Sequence, residues 1–310
     1  MAKKVIFITG PTACGKTDVA NLLSKKFNTN LISIDSQQIY IQMDIGTNKD
    51  LSIKQELVDI KYPNEDFSVE EYRKEALKII SNIDYPIFAG GSGFYIDSLI
   101  YNMNFAETSK DLNIRKKYEN LYEKNGKKYL YDLLYKIDPK TALKYHINET
   151  NRIIRNLEIF EKTGKKPSEI KNGYKQINEK INPYIYLLNY KDRNKLYDKI
   201  NKRVDEMIKI GLINEVDTLI KKYNLTEKSQ SMRAIGYKET IEYLQNKITF
   251  DELLYNIKIN TRHYAKRQIT WMKRYRSFNN FKEIFVDDFE DKKSISNFIL
   301  EDLKEKKFGI

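Results

Sequence analysis

The sequence is poor in the residues that build disulfide frameworks and zinc sites. Among 310 residues there are one cysteine and two histidines. A single cysteine excludes an internal disulfide, and so few Cys and His ligands argue against a structural zinc site, which takes about four. The sequence also lacks an apolar run near the roughly 18 residues of a membrane span. A strand pattern starts within a few residues of Met1, which leaves no room for a signal peptide. We therefore expect a cytoplasmic protein without a membrane association.

Basic residues are present in excess. The chain carries 55 Lys+Arg against 43 Asp+Glu, a net charge of +12, with 41% hydrophobic residues. The hydrophobic fraction is typical of a globular protein with a core, and the length allows one large domain or two. The positive charge favours a polyanionic partner such as nucleic acid. Compositional bias explains the charge equally well, since lysine is frequent in every region.

Residues 10–17 form the motif G-x-x-x-x-G-K-T. A buried strand pattern, Val5–Thr9, precedes the motif and a helical pattern follows it. In this arrangement, backbone N–H groups surround a phosphate at a helix N-terminus. The motif predicts that Lys16 reaches the outer phosphate and that the Thr17 hydroxyl is a ligand of Mg²⁺. We expect a di- or triphosphate compound to bind the whole loop, Gly10, Pro11, Thr12, Ala13, Cys14, Gly15, Lys16 and Thr17.

An acidic residue follows the next strand pattern. The run Leu31–Ile34 is apolar apart from Ser33, and Asp35 comes directly after it. The carboxyl end of a parallel strand is where open sheets bind ligands. The chemistry of this position leaves three alternatives open. Asp35 is a site residue at the ligand crevice, an acid that organises magnesium, or the cap of the next helix.

Further patterns predict an α/β fold, a P-loop-type parallel sheet with flanking helices. Ser68 and Glu71 have the spacing of a capping box at the start of a helix over residues 68–82. Gly211 indicates the end of a long helix. Additional strands are predicted at Tyr85–Ala89, which leads into Gly90–Tyr95, and at Tyr184–Leu188 and Ile284–Val286.

Residues 109–180 differ from the rest because helical patterns replace strands. This segment contains 18 Lys+Arg and 10 Asp+Glu, so it holds +8 of the +12 net charge. We interpret it as a basic helical insertion domain, with residues 1–108 and 181–310 forming the core. A second basic stretch, 262–276, lacks acids and includes aromatic residues. It suits contact with a nucleic-acid backbone, and a solvated helix face is the alternative.

Several motifs together resemble the bacterial tRNA dimethylallyltransferases, the isopentenyl-tRNA transferase family. The resemblance extends over nearly the whole chain and rests on segments 10–17, 32–40, 43–47, 90–95, 151–158, 203–207, 234–239 and 261–271. Two residues depart from the family pattern. Ser92 stands where Thr is usual, which keeps the hydroxyl, and Asn156 stands where Ala is common, a change we expect to be tolerated at a helix surface.

The resemblance implies transfer of a dimethylallyl group from its diphosphate to N6 of adenosine 37, next to the tRNA anticodon. It also implies a P-loop core with a helical insertion that helps to hold the anticodon stem-loop. From the phosphate-loop motif we expect Mg²⁺ as cofactor, and we expect a monomer. The implied catalytic residues are Asp35 as general base, with Thr12 and Arg203 on the diphosphate. The implied tRNA-binding residues are Asp35, Ser36, Gln37, Gln38, Ser92, Asn151, Arg152, Ile153, Ile154 and Arg155.

Two other functions use the same phosphate loop. A small-molecule kinase would bind ATP there and turn over nucleoside triphosphate. An RNA-binding protein with a nucleotide switch would bind tRNA and form no covalent product. The prenyltransferase hypothesis instead predicts a diphosphate donor and a modified nucleoside.

Overall fold

The computed structural model describes residues 2–103, 105, 111–170 and 176–309. Within these residues the sheet has six strands, all parallel, in the order β3-β2-β4-β1-β5-β6. The predicted α/β fold is confirmed. The two-residue strand β3 has no apolar pattern and was not predicted. The strands are β1 (Lys3–Thr9), β2 (Leu31–Ile34), β3 (Gln55–Glu56), β4 (Ile87–Gly90), β5 (Ile181–Asn189) and β6 (Phe281–Phe285).

The helices lie around this sheet and in a segment between β4 and β5. Helix α4 contains a break at Gly126, where the backbone leaves the helical region. In chain order the helices are α1 (Lys16–Lys26), α2 (Val69–Asn82), α3 (Gly93–Ile100), α4 (Leu112–Ile137), α5 (Pro139–Ala142), α6 (Thr150–Thr163), α7 (Arg193–Ile210), α8 (Leu212–Tyr223), α9 (Tyr237–Leu244), α10 (Phe250–Met272) and α11 (Lys292–Glu305).

Local sequence signals fix the helix ends that the motifs predicted. Ser68 Oγ accepts the N–H of Glu71, and the Glu71 carboxylate accepts the N–H of Ser68, so the predicted capping box at α2 is confirmed. Gly211 ends α7, also as predicted, and α8 begins at the next residue.

The chain divides into two compact units, Met1–Ile100 with Asn178–Ile310, and Tyr101–Ile177. The insertion was placed at 109–180, and residues 109, 110 and 171–175 of that range lie outside the described residues. The smaller unit has an apolar core of its own, formed by α4, α5 and α6, which includes Tyr118, Leu130, Leu134, Ala142, Ile153, Ile154 and Leu157.

The larger unit buries its sheet beneath helices. Its core joins Ile6 and Ile8 of β1 to apolar residues of α1, α7, α10 and α11. Because every core strand is covered, β1, β2 and β4 are almost continuously apolar, as parallel strands usually are. No helix within the described ranges is long and apolar enough to cross a membrane.

Strand register brings three loops to one edge of the sheet. Gly90 at the end of β4 pairs with Thr9 of β1 on one side and with Ile34 of β2 on the other. The residues that follow these strand ends, Gly10, Asp35 and Gly91, are therefore neighbours. This is the edge at which parallel sheets bind their ligands.

Candidate active site

The phosphate loop connects β1 to α1 at the carboxyl edge of the sheet. Helix α1 begins at Lys16, and Gly15 before it has φ 82° and supplies no side-chain cap. Because glycine has no side chain, it cannot accept the first N–H groups of α1. An anion site requires these groups to be available to the ligand. Lys16 Nζ donates to the Pro11 carbonyl at 2.7 Å, so the ammonium group lies over the loop. Burial lowers the pKa of Lys16, which reflects a cation held away from water.

Arg203 joins the phosphate loop from helix α7. Its Nη1 donates to Thr12 Oγ1 at 2.8 Å, across 191 residues of sequence. A guanidinium has five N–H donors, and within the described residues this is the one hydrogen bond that Arg203 makes. Burial lowers the pKa of Arg203 to about 10, although the charge of Asp35 opposes that shift. The structure therefore unites the two residues that the resemblance assigned to the diphosphate, with donors left for a ligand.

Asp35 follows β2 and faces these cations. Its Oδ1 accepts the backbone N–H groups of Gln37 at 2.8 Å and of Gln38 at 3.4 Å. In the part of the chain that the structure describes, Oδ2 has no hydrogen-bond partner. Burial raises the pKa of Asp35, and those two N–H groups, Lys16 and Arg203 oppose the shift. The alternative that Asp35 caps the next helix is wrong, because residues 36–39 form turns and no helix begins there.

A cavity of about 290 Å³ collects these groups. Three of its residues were assigned roles in catalysis, Thr12, Asp35 and Arg203. Apolar side chains form another part of the wall, so the cavity offers positive charge beside an apolar surface. Its lining consists of Thr12, Asp35, Ser36, Gln37, Gly46, Thr47, Arg203, Val204, Met207, Arg233, Ala234, Ile235, Ile257, Thr261, Tyr264 and Arg267.

Several cavity residues were missed as site residues by sequence reasoning. Arg233 and Arg267 add cations to the lining, and Tyr264 adds a hydroxyl whose pKa burial raises, so that it stays a donor. Gly46 and Thr47 add a short backbone wall. Each of these residues except Arg233 lies in a motif segment that carried the family resemblance. Their position in such a segment could have marked them as candidate site residues, but it indicated no role for any of them.

Gln268 of α10 ties the phosphate loop to the glycine loop after β4. Its Oε1 accepts the N–H of Thr12 at 2.8 Å, and its Nε2 donates to the Gly91 carbonyl at 3.2 Å. A side chain at Gly91 would overlap the Gln268 carboxamide, which explains why glycine is required there. The carboxamide is suited to this position because it accepts from one loop and donates to the other.

The basic stretch 262–276 is more internal than either sequence interpretation proposed. Trp271 packs directly on Gly93. Arg274 stacks on the Trp271 ring at 4.1 Å and pairs with the buried Asp97 at 2.8 Å. Tyr275 is fully buried and donates to Asp97 at 2.5 Å. Much of the aromatic and basic pattern therefore fixes α10 and the residues after it on the glycine loop and α3.

The predicted tRNA residues near Asp35 divide into two groups. Ser92 Oγ accepts the N–H of Ser36 at 3.2 Å, and the Gln38 carboxamide bonds with Ser33 and with the Thr47 carbonyl. These two side chains therefore shape the loops. Ser36 and Gln37 line the cavity, and Gln37 Oε1 is buried without a hydrogen-bond partner among the described residues. A donor on a bound ligand would satisfy it.

The predicted tRNA residues of α6 lie in the smaller unit. Asn151 and Arg152 are exposed, and Arg155 is half-buried. Ile153 and Ile154 are 0% and 2% exposed in the core, so their side chains do not reach a tRNA, and that part of the prediction is corrected. Asn156, expected at the surface, is also buried, and its amide donates to the Arg152 carbonyl at 2.7 Å. The 3.6-residue period places all three on the inner face.

The predicted magnesium ligand is a single protein group, the Thr17 hydroxyl. The described residues contain no cluster of three His, Cys, Asp or Glu side chains that could hold a metal. Magnesium keeps several waters and often binds through substrate phosphates with few protein ligands. A lone hydroxyl beside a phosphate loop therefore fits this ion when the diphosphate supplies further oxygens.

Comparison with known proteins gives one consistent result. The model of the family described as IPP transferase matches residues 38–275, which leaves the phosphate loop outside the matched range. The tRNA dimethylallyltransferase of Caldanaerobacter subterraneus subsp. tengcongensis is 44% identical over 97% of this chain and 98% of its own length. That of Finegoldia magna is 40% identical over 98% of each.

Solved structures agree. The tRNA isopentenylpyrophosphate transferase of Bacillus halodurans matches with a TM-score of 0.68 and 37% identity, over 99% of this chain and 98% of its own. A eukaryotic dimethylallyltransferase acting on tRNA matches with a TM-score of 0.78 and 27% identity, over 98% of this chain and 80% of its own. The similarity to both covers the two units.

Proposed function

The chain belongs to the IPP transferase family, and on that premise we propose the reaction that its cavity performs. The protein transfers the dimethylallyl group of dimethylallyl diphosphate to N6 of adenosine 37 of tRNA, next to the anticodon, and releases diphosphate. The observation that carries this proposal is the meeting of Thr12, Arg203 and Asp35 in one cavity at the phosphate loop. Cations for a leaving group and a carboxylate for a proton lie side by side.

The donor diphosphate is proposed to bind at the N-terminus of α1. The first backbone N–H groups of α1, the Lys16 ammonium and the unused Arg203 N–H groups supply its contacts. The five-carbon chain needs an apolar surface, and Val204, Met207 and Ile257 provide one in the same cavity. This division of the lining suits a donor with a charged end and an apolar end.

The reaction breaks the allylic C–O bond, forms a C–N bond and removes one proton from N6. We propose that Asp35 Oδ2 accepts this proton, because Oδ1 is occupied by the turn and Oδ2 is not. The amine of adenine is a weak nucleophile, since its lone pair is delocalised into the ring. A positioned base is typically worth about 10²–10⁴ in rate. The raised pKa of Asp35 makes its carboxylate a better proton acceptor.

Departure of the diphosphate needs neutralisation of the charge that grows on its bridging oxygen. Lys16 and Arg203 are fixed before the reaction by their contacts with Pro11 and Thr12, so little reorganisation is required. Magnesium, held by Thr17 and the phosphates, would add Lewis-acid stabilisation of the same charge. Gln268 keeps the loop in place through the Thr12 amide.

The adenine of the tRNA is proposed to leave its base stack before it enters the cavity. Unstacking costs a few kcal/mol, and the cost is smallest in an unpaired loop. Ser36 and Gln37 lie in the cavity beside Asp35, and the buried Gln37 Oε1 offers an acceptor to the base. Asn151, Arg152 and Arg155 of the smaller unit are proposed to contact the tRNA backbone. A cytoplasmic location and a monomeric state remain part of this proposal.

The test is incubation of the protein with tRNA, Mg²⁺ and radiolabelled dimethylallyl diphosphate, followed by nucleoside analysis. We expect label in a modified adenosine and release of one diphosphate per transfer. A parallel incubation with ATP tests the kinase alternative through phosphoryl transfer. Tight tRNA binding without any labelled nucleoside would refute the transfer and favour the RNA-binding alternative.

A further inference from the structure

One carboxylate holds a backbone loop at the edge of the cavity. Glu215 of α8 accepts the N–H groups of three successive residues, Asp44 at 3.0 Å, Ile45 at 2.7 Å and Gly46 at 3.2 Å. Its Oε1 also accepts the Tyr237 hydroxyl at 2.6 Å. Successive N–H groups that converge in this way form an anion-binding concavity. Here a side chain of the same protein, about 170 residues away in sequence, occupies that concavity.

The neighbourhood of Glu215 fixes the loop further. Tyr237 is fully buried, and its ring packs so closely on Gly46 that no side chain fits there. Gln38 Nε2 donates to the Thr47 carbonyl at 3.1 Å from the other side. The segment 44–47 is thus held from α8, from the start of α9 and from the turn after Asp35.

This loop forms part of the active cavity. Gly46 and Thr47 line the cavity together with Asp35 and Arg203. Glu215 itself is absent from the lining, so it acts on the site only through the loop. We propose that Glu215 is a positioning residue for the transfer reaction: it holds the Gly46–Thr47 wall so that the reacting groups meet in the productive geometry. This inference rests on the proposed function.

The substitution Glu215→Gln tests it with little change of size. Oε2 accepts from Asp44 and Ile45, and Oε1 accepts from Gly46 and Tyr237, so both oxygens are needed as acceptors. Glutamine keeps one acceptor and directs an NH₂ group at the other pair of donors, which displaces the loop. Because a shift of about 1 Å costs about 10²-fold, we expect single-turnover transfer at saturating substrates to fall at least tenfold.

The affinity for inorganic pyrophosphate distinguishes positioning of the wall from damage to the phosphate loop. Lys16 and Arg203 do not contact Glu215, so we expect pyrophosphate binding by Glu215→Gln within about twofold of wild type. Tyr237→Phe keeps the ring against Gly46 and removes one hydrogen bond. Its transfer rate should therefore lie between those of the wild type and Glu215→Gln. Asp217→Asn is the matched control, since it removes an exposed ion pair with Lys221 on the same helix.

Each outcome has a definite meaning. All rates are measured well below the melting temperature of each variant. If Glu215→Gln melts earlier yet transfers at the wild-type rate, Glu215 is structural only and the inference is wrong. If pyrophosphate affinity falls in step with the rate, the effect passes through the phosphate loop and the inference is also wrong. A wild-type protein that modifies no tRNA would instead refute the proposed function.

Discussion

The cations of the cavity and those of helix α6 are held in opposite ways. Lys16 and Arg203 bond to a carbonyl and a hydroxyl, and within the described residues neither forms an ion pair. Arg152 pairs with Glu149 at 2.6 Å and Arg155 with Glu158 at 2.8 Å. The cavity therefore keeps positive charge uncompensated for one compact anion. The helix neutralises these two charges locally, although the segment 109–180 that contains it holds +8 of the net charge. Such an excess favours a polyanionic partner.

Buried carboxylates show the same contrast. Asp97 is bonded by Arg274 and Tyr275. Glu158 is bonded by Arg155 and by the N–H of Asp111. Both are fully buried and each is paired with a cation, as buried charges in a fold usually are. Asp35 receives two backbone N–H groups and forms no ion pair within the described residues, although Lys16 and Arg203 lie near enough to oppose the rise of its pKa. Burial raises the pKa of Asp35 and of Asp97 alike, so the contrast lies in the ion pair. Asp35 is thus arranged for reactivity, and the other two for stability.

Asp35→Asn should give the largest effect, because it removes the proton acceptor and keeps the turn. Asparagine Oδ1 still accepts from Gln37 and Gln38. We expect single-turnover transfer to fall by about 10²-fold or more, with donor and tRNA affinity nearly unchanged. Binding and transfer are measured on one preparation. Reduced donor affinity that added magnesium restores would identify a magnesium-organising acid instead, and a normal rate would refute the mechanism.

Lys16→Ala tests the uncompensated charge of the cavity. The substitution removes one of the fixed cations at the phosphate loop, so we expect weaker pyrophosphate binding by calorimetry and a rate lower by about 10²-fold. Lys25→Ala is the control, an exposed lysine in the last turn of the same helix. Wild-type affinity and rate in Lys16→Ala would contradict the assignment of the phosphate loop.

The sequence predicted every strand except β3, and the phosphate loop, because these features depend on local patterns. Buried parallel strands leave apolar runs, and a phosphate loop needs glycines at fixed spacing. Gln268 and Glu215 were missed because each contacts a loop more than 160 residues away, and no local pattern marks such a contact. Ile153 and Ile154 were misassigned because a motif segment was transferred whole, although its helical period places them in the core.

Arg152→Ala tests the other side of the comparison. Its side chain is 65% exposed and its ion pair with Glu149 is screened by water, so the protein should remain folded. If Arg152 contacts a phosphate, tRNA affinity should fall several-fold and the slope of log affinity against log salt should decrease by about one. Lys304→Ala, an exposed lysine of α11, is the control. An unchanged slope would remove Arg152 from the tRNA surface.

The smallest expected effect is on stability, and it has a defined dependence on pH. Because burial raises the pKa of Asp35, the folded state binds its proton more tightly than the unfolded chain does. In the wild type, the tighter binding of this proton stabilises the folded state at low pH. That stabilisation is lost as pH rises through the raised pKa. Asp35→Asn has no such charge to bury. We expect its melting temperature at pH 7.5 to be no lower than that of the wild type and up to a few degrees higher.

The difference between the two melting temperatures should shrink as pH falls below the raised pKa, because wild-type Asp35 is then neutral as well. Other groups titrate in both proteins and cancel in the comparison. Asp217→Asn, which removes a partly exposed carboxylate of α8, is run alongside as the control for loss of a surface charge. A variant Asp35→Asn that is less stable than the wild type at pH 7.5 would mean that the carboxylate stabilises the fold. That result would contradict the assignment of Asp35 to the reaction rather than to the fold.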